Sequence, residues 1–242
     1  MDAAVMARTS SSFSRTCIRS RWELLAKIKS CYGRVKLRAV FDEGLCFGLL
    51  DPVSNIVAGV IIAGAVRIDP DPIISFPRQT RPDPIEDMNQ RSLNGLVAFL
   101  AALFPYLTQA KAMWYLNKAE LDPLVAARLI IQHRGMEQSF GFSSDTAVAA
   151  VEAALRCAAA AAQHPCPKQF VAGWKILSHS LDEVATLLSG TCVTVDPFIT
   201  DILLNKPQPS IFSLDKSWDF ASCRLLNLSP DLLGGGGGET IF

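Results

Sequence analysis

"GLLDPVSNIVAGVIIAGAV", residues 48–66, is the most apolar stretch of the chain, yet Asp51, Ser54 and Asn55 interrupt it near its start. Three readings compete: a membrane anchor, a polar site in an apolar wall, and a capped core helix. The uninterrupted apolar run, Ile56 to Val66, has eleven residues, whereas a spanning helix needs about 20. Asp51-Pro52 instead has the chemistry of a helix start. An N-cap carboxylate accepts an amide two or three residues on, and proline at the first helical position leaves no amide unsatisfied. The stretch therefore predicts a helix over 52–66, with Asp51 accepting from Val53 or Ser54 and with Val57, Val60 and Ile61 packed inward.

The same dipeptide recurs at Asp69, Asp71, Asp83, Asp122 and Asp196. Asp83, Asp122 and Asp196 precede apolar runs and read as further caps. Asp69 and Asp71 fall in "RIDPDPIISFPRQTRPDP", residues 67–84, whose five prolines mark an extended linker. Asp83 with Glu86, and Ser180 with Glu183, have capping-box spacing. Thr108, Asp145 and Asp215 are additional cap candidates, and Pro105, Gly135, Pro165, Gly190 and Pro207 are stops. Helices are expected over 22–40, 52–66, 84–104, 108–118, 123–134, 145–163, 167–178, 181–189, 197–205 and 214–227.

"LVAARLII", residues 124–131, is apolar on nearly every side and predicts a central helix. The alanines of 158–162 predict a close helix–helix approach, and no region alternates long enough for a strand. The fold class is all-α, an irregular bundle of about nine to ten helices. It is expected over residues 22–227, after a disordered Ser/Arg-rich leader (1–21) and before a flexible Gly-rich tail (228–242).

Formal net charge is zero and half the residues are hydrophobic, which excludes a polycation and a disordered chain. The first 40 residues carry nine Lys/Arg against Asp2 and Glu23. Such a leader suits an organellar transit peptide or a plain basic arm. The seven cysteines include no close C-x-x-C pair, a pattern of free thiols in a reducing compartment. A cytoplasmic or nuclear location is expected, with plastid or mitochondrion as the alternative.

The sequence carries no recognisable reaction chemistry. His133, His164 and His179 lie at expected helix ends or turns, and Cys157, His164, Cys166 and His179 lack the spacing of a zinc site. The carboxylate pairs Asp69/Asp71 and Glu86/Asp87 read as solvated or capping groups. No catalytic, cofactor-binding or metal residue is therefore assigned. An enzyme would need a site assembled from distant residues such as Cys157, His164 and Asp182. Trp114, Tyr115, Trp174 and Trp218 sit on amphipathic helices and are the candidate partner-binding residues. Nucleic acid is not expected, because these rings are not interleaved with Lys/Arg on a common face.

"GLCFGLLDPVSNIV", "RSLNGLVAFLAALFPYL", "AMWYLNKAELDPLVAARLII", "HRGMEQSFGFSSDTAVAAVEAALRCAA", "FVAGWKIL" and "DKSWDFASCRL" together resemble the plant PIR2-like helical domain, a family of uncharacterised grass proteins. Related domains occur on the N-terminal side of plant RING-type ubiquitin ligases. The resemblance implies a non-catalytic module that binds other proteins, without a cofactor. The close Cys/His pairs of a RING are absent, so ligase activity does not carry over. Longer relatives continue past the "DKSW" helix, which makes the Gly-rich end an expected truncated or altered terminus.

Overall fold

The computed structural model describes residues 3–35, 43–65, 83–188 and 197–228, with side chains from Arg19 onward. Among these residues stand ten helices and no strand. They are α1 (Ala3–Arg34), α2 (Pro52–Ala65), α3 (Pro84–Leu103), α4 (Gln109–Lys118), α5 (Pro123–His133), α6 (Asp145–Ala161), α7 (Pro167–Ser178), α8 (Leu181–Leu188), α9 (Pro197–Asn205) and α10 (Asp215–Leu226). The all-α reading holds. The expected linker up to residue 82, the cap at Asp196 and the tail from 229 lie outside the described residues.

Aspartate caps start three helices. Asp51 Oδ1 accepts from both Val53 N and Ser54 N at 3.1 Å. Asp83 accepts from Ile85 N and Glu86 N, and Asp122 from Leu124 N and Val125 N. Thr108 caps α4 through Lys111 N. Four expectations need correction. Ser144, not Asp145, caps α6, donating its own hydroxyl to Gly141 O while accepting from Ala147 N. Asp215 accepts from Ser143 instead, and Leu214 holds the α10 cap position without a side-chain bond. The Ser180 hydroxyl is taken by Lys206 Nζ rather than by an α8 amide. The first helix begins at Ala3, not at 22. Residues 3–32 contain neither proline nor glycine, so nothing in the expected leader stops a helix.

α2 is buried on nearly every side, because α1, α7, α8 and α9 all pack against it. Val57 and Ile61 are in the core, as are Asn55, Ile56, Ala58 and Ile62, while Val60 lies at its edge. α5 is similarly central, with α3, α4 and α10 around it. α3 and α6 form the most extensive helix pair, and Ala154, Ala158 and Ala159 of α6 are fully buried.

The core also contains chain without regular structure. Gly44–Leu50 is buried throughout, so its peptide groups need partners other than water. Asn55 supplies three: its Oδ1 accepts from Leu50 N at 3.0 Å, and its Nδ2 donates to Leu50 O at 2.8 Å and Cys46 O at 3.3 Å. Ser92 Oγ accepts from Cys46 N, and the Tyr32 hydroxyl donates to Gly44 O at 2.8 Å. Burial pushes the Tyr32 phenol well above its ordinary value, keeping it a donor. Two glycines set how closely the segment is approached. A Cβ on Gly48 would lie 2.2 Å from Cζ2 of Trp174, and one on Gly95 would lie 2.2 Å from Cε1 of Phe47.

The α6–α7 connection has a polar lock of its own. Buried Arg91 of α3 donates from Nε to Ala162 O at 2.8 Å and from Nη2 to Gln163 O at 3.0 Å. Beside it His164 is buried against Phe170, with Nδ1 accepting from Cys166 N. Burial first, and then the Arg91 charge, lower its pKa to about 4.

These buried groups carry two expected outcomes. Asn55→Ala is expected to lower the unfolding free energy by about 3 kcal/mol, because it orphans one amide and two carbonyls. Urea unfolding at neutral pH measures this, and a loss under about 1 kcal/mol would show that the segment does not depend on Asn55. His164 gives the second. The folded pKa of about 4 lies below the unfolded value of about 6.5, so between them only the unfolded state takes the proton. The stabilising contribution is complete above the unfolded value and is lost as pH falls towards the folded one. Comparing unfolding curves at pH 7 and pH 4, the native protein should lose about 3 kcal/mol more than His164→Asn. Equal losses would contradict a neutral buried imidazole.

Candidate protein-interaction surface

α4 is short, and its apolar stripe of Ala112, Met113 and Leu116 faces the core. That register leaves Trp114 36 % exposed and Tyr115 half-buried at the core edge. Their rings meet edge-on, with centroids 4.9 Å apart. The end of α5 brings His133 beside both, 6.2 Å from Trp114 and 5.7 Å from Tyr115. α5 stops there because Gly135 takes φ +62° and Met136 N donates back to Ile131 O. The next residue, Arg134, lays its guanidinium over Tyr106, 4.4 Å from the ring centre. Tyr106, in the turn after α3, is 49 % exposed. Lys118 places its ammonium 5.6 Å from the Trp114 ring.

The result is one exposed surface of four aromatic rings and two cations, drawn from three chain segments. Residues 104–119 and 123–136 carry Lys111, Lys118, Arg128 and Arg134 and no Asp or Glu, with Glu120, Asp122 and Glu137 flanking them. Burial raises the Tyr115 phenol pKa, and nearby Arg134 partly opposes this. A surface of this kind offers flat apolar contact together with cationic hydrogen-bond donors. Among the four tryptophan and tyrosine candidates, the structure thus brings together Trp114 and Tyr115. Lys118, Tyr106, His133 and Arg134 join them without any sequence signal of a shared site. Sequence separation hides the last two, and the α5 stop at Gly135 is the one hint that the chain turns back there.

The other two candidates are corrected. Trp174 is fully buried against Gly48 and Phe170, and Trp218 is 3 % exposed among Phe140 and Phe142. Both serve the core, where an indole contributes its large apolar area. The distant set Cys157, His164 and Asp182 is not assembled either. Cys157 is exposed on α6, His164 is buried with its Nε2 unbonded, and Asp182 pairs with Lys216 at 3.1 Å. Among the described residues no three His, Cys, Asp or Glu side chains gather as a metal site would need. No helix among them is long and apolar enough to cross a membrane.

Residues 26–131 match the family model for the PIR2-like, helical domain, which is what this segment of the chain is similar to. No curated protein and no solved structure matches the chain. The matched segment runs from α1 into α5 and holds Tyr106, Trp114, Tyr115 and Lys118, while His133 and Arg134 lie just beyond it.

The segment does not close its own core. α2 belongs to it, yet Ile62 of α2 rests on Gly173 of α7, where a Cβ would lie 2.4 Å from Ile62 Cγ2. Trp174 of α7 likewise covers Gly48. A fragment ending at residue 135 is therefore expected to lose cooperative thermal unfolding and to bind a hydrophobic dye, whereas the full chain unfolds in one transition. A fragment with a sharp transition would show that α6–α10 are dispensable.

Proposed function

We propose that the chain is a non-catalytic helical module that binds a partner protein through the surface of Tyr106, Trp114, Tyr115, Lys118, His133 and Arg134. The observation that carries this reading is the exposure of Trp114 and Tyr106 beside two stacked cations. Exposed aromatics with Arg are the residues that dominate binding energy at protein interfaces. The two cations, Lys118 and Arg134, favour a partner segment that carries acidic side chains around an apolar anchor. Zero formal net charge supports a protein partner over nucleic acid, whose phosphates call for an excess of cations. The five described cysteines are all free thiols, which supports a cytoplasmic or nuclear location.

Trp114→Asp, made alongside Trp22→Ala as an exposed control on α1, tests the surface. Partners captured by the native chain should bind Trp114→Asp at least about thirtyfold more weakly, and Trp22→Ala normally. Melting temperatures of all three proteins should agree within the small range expected of surface substitutions. Retention of every partner by Trp114→Asp would refute the assignment.

A further inference from the structure

A second exposed apolar face lies away from α4. α9 packs Ile199, Ile202 and Leu203 inward, against α2 and α7. Its outer side presents Phe198, Asp201 and Leu204, three residues apart and so on one stripe of the helix. Leu204 is 62 % exposed, and Ile211, in the chain after α9, is 58 % exposed. Ile211 is held outward by its surroundings. Lys175 Nζ donates to Ser210 O at 3.2 Å, the His179 ring bonds Ile211 O at 3.0 Å, and Ser213 N donates to Ser178 Oγ, while neighbouring Phe212 is buried. Lys206 Nζ bonds the Ser180 hydroxyl and so brings the end of α9 to the start of α8. Leu204 and Ile211 therefore flank the α7–α8 turn, beside exposed Asp182 and Glu183.

This face is acidic. Residues 181–188 and 197–205 carry Asp182, Glu183 and Asp201 and no Lys, Arg or His. The two cations that border it are engaged, Lys216 with Asp182 at 3.1 Å and Lys206 with Ser180. Asp201 accepts from the neutral amide of Asn205, and neither it nor Glu183 has an ion pair among the described residues. Two carboxylates without cations thus border an apolar anchor.

We infer that the α8–α9 face docks on the aromatic surface of a second copy of this chain. The inference rests on the reading of that surface as a protein-docking site and gives it an occupant. Exposed Trp114 and Tyr106 with Lys118 and Arg134 call for an apolar anchor bordered by carboxylates, and Leu204 and Ile211 with Glu183 and Asp201 supply one. One chain cannot satisfy itself: α4 is fixed on α1, α3 and α5, and α9 on α2 and α7. Zero formal net charge leaves no overall repulsion between copies. Contact between two different faces of identical chains is heterologous and continues head to tail until it closes into a ring.

Sedimentation velocity of the full chain from about 5 to about 500 µM tests this. The native sedimentation coefficient should rise with concentration. Trp114→Asp and Leu204→Asp should each stay monomeric alone, their association weakened at least about thirtyfold. Both change exposed side chains, so melting temperatures should hold. Trp22→Ala should associate as the native chain does. An equimolar mixture of Trp114→Asp and Leu204→Asp should form a dimer and nothing larger, because one intact pair of faces remains between them. A mixture that stays monomeric overturns the inference. A native chain that stays monomeric while Trp114→Asp loses its captured partners also overturns it, and leaves the aromatic surface as a site for other proteins. A Trp114→Asp chain that self-associates normally and keeps every partner overturns both readings.

Discussion

The architecture depends on burying a length of chain with no regular hydrogen bonding, Gly44–Leu50, at the centre of a helical bundle. Helices satisfy their own peptide groups, so a helical core is normally free of this cost. Here the side chains of three helices replace water: Tyr32 from α1, Asn55 from α2 and Ser92 from α3. Each sits where an apolar residue would otherwise pack, and each is therefore bound to one register of its helix. Phe47 and Leu49 are the gain, fully buried between helices that could not reach the same space directly. The arrangement ties α1, α2 and α3 together through polar contacts as well as through their apolar faces.

The same segment explains why the helices beyond the family match belong to the same core. Its outer side is covered by Phe170 and Trp174 of α7, with Phe170 edge-on to Phe47 at 5.4 Å. α7 in turn is placed by the α6–α7 turn, and that turn is gripped by Arg91 from within the matched segment. Asp122 makes the corresponding link at the other end, capping α5 while it holds Arg224 of α10. Two buried charged side chains, Arg91 on α3 and Asp122 at the start of α5, thus orient the C-terminal helices. Removing either one would leave polar groups of its partner in a water-poor setting, which makes these links specific as well as attractive.

Apart from α1, helix starts and helix ends were both legible in the sequence to within one or two residues, but the residues that make the ends were less so than those that make the starts. Asp-Pro writes a start in two adjacent residues, because the carboxylate and the missing amide act locally. α4, α5 and α6 all end with the same geometry, in which the chain enters the left-handed region and an amide bonds back across the turn. Gly135 announces this at α5. Glu120 and Gln163 do the same work at α4 and α6 without being glycine, so nothing in composition marks them. The deeper loss of legibility concerns Asn55 and Ser92. Polar residues within apolar helices read as interruptions, and their partners are set by chain that no periodicity describes.

The fate of the tryptophans shows where sequence reasoning about a site reaches its limit. All the candidate rings stand on amphipathic helices, so periodicity alone ranks them equally. What separates them is the space opposite. Trp174 finds a glycine on a buried stretch of irregular chain, and Trp218 finds Phe140 and Phe142 from the α5–α6 connection. Trp114 finds Tyr115, His133 and a lysine, because α4 lies at the edge of the bundle and its inward stripe turns the larger rings outward. A core needs large side chains to meet small ones, and α4 presents Ala112 inward where it could have presented a tryptophan. That placement costs apolar burial that an inward ring would have gained, and this uncompensated cost is the physical ground on which the proposed partner contact rests.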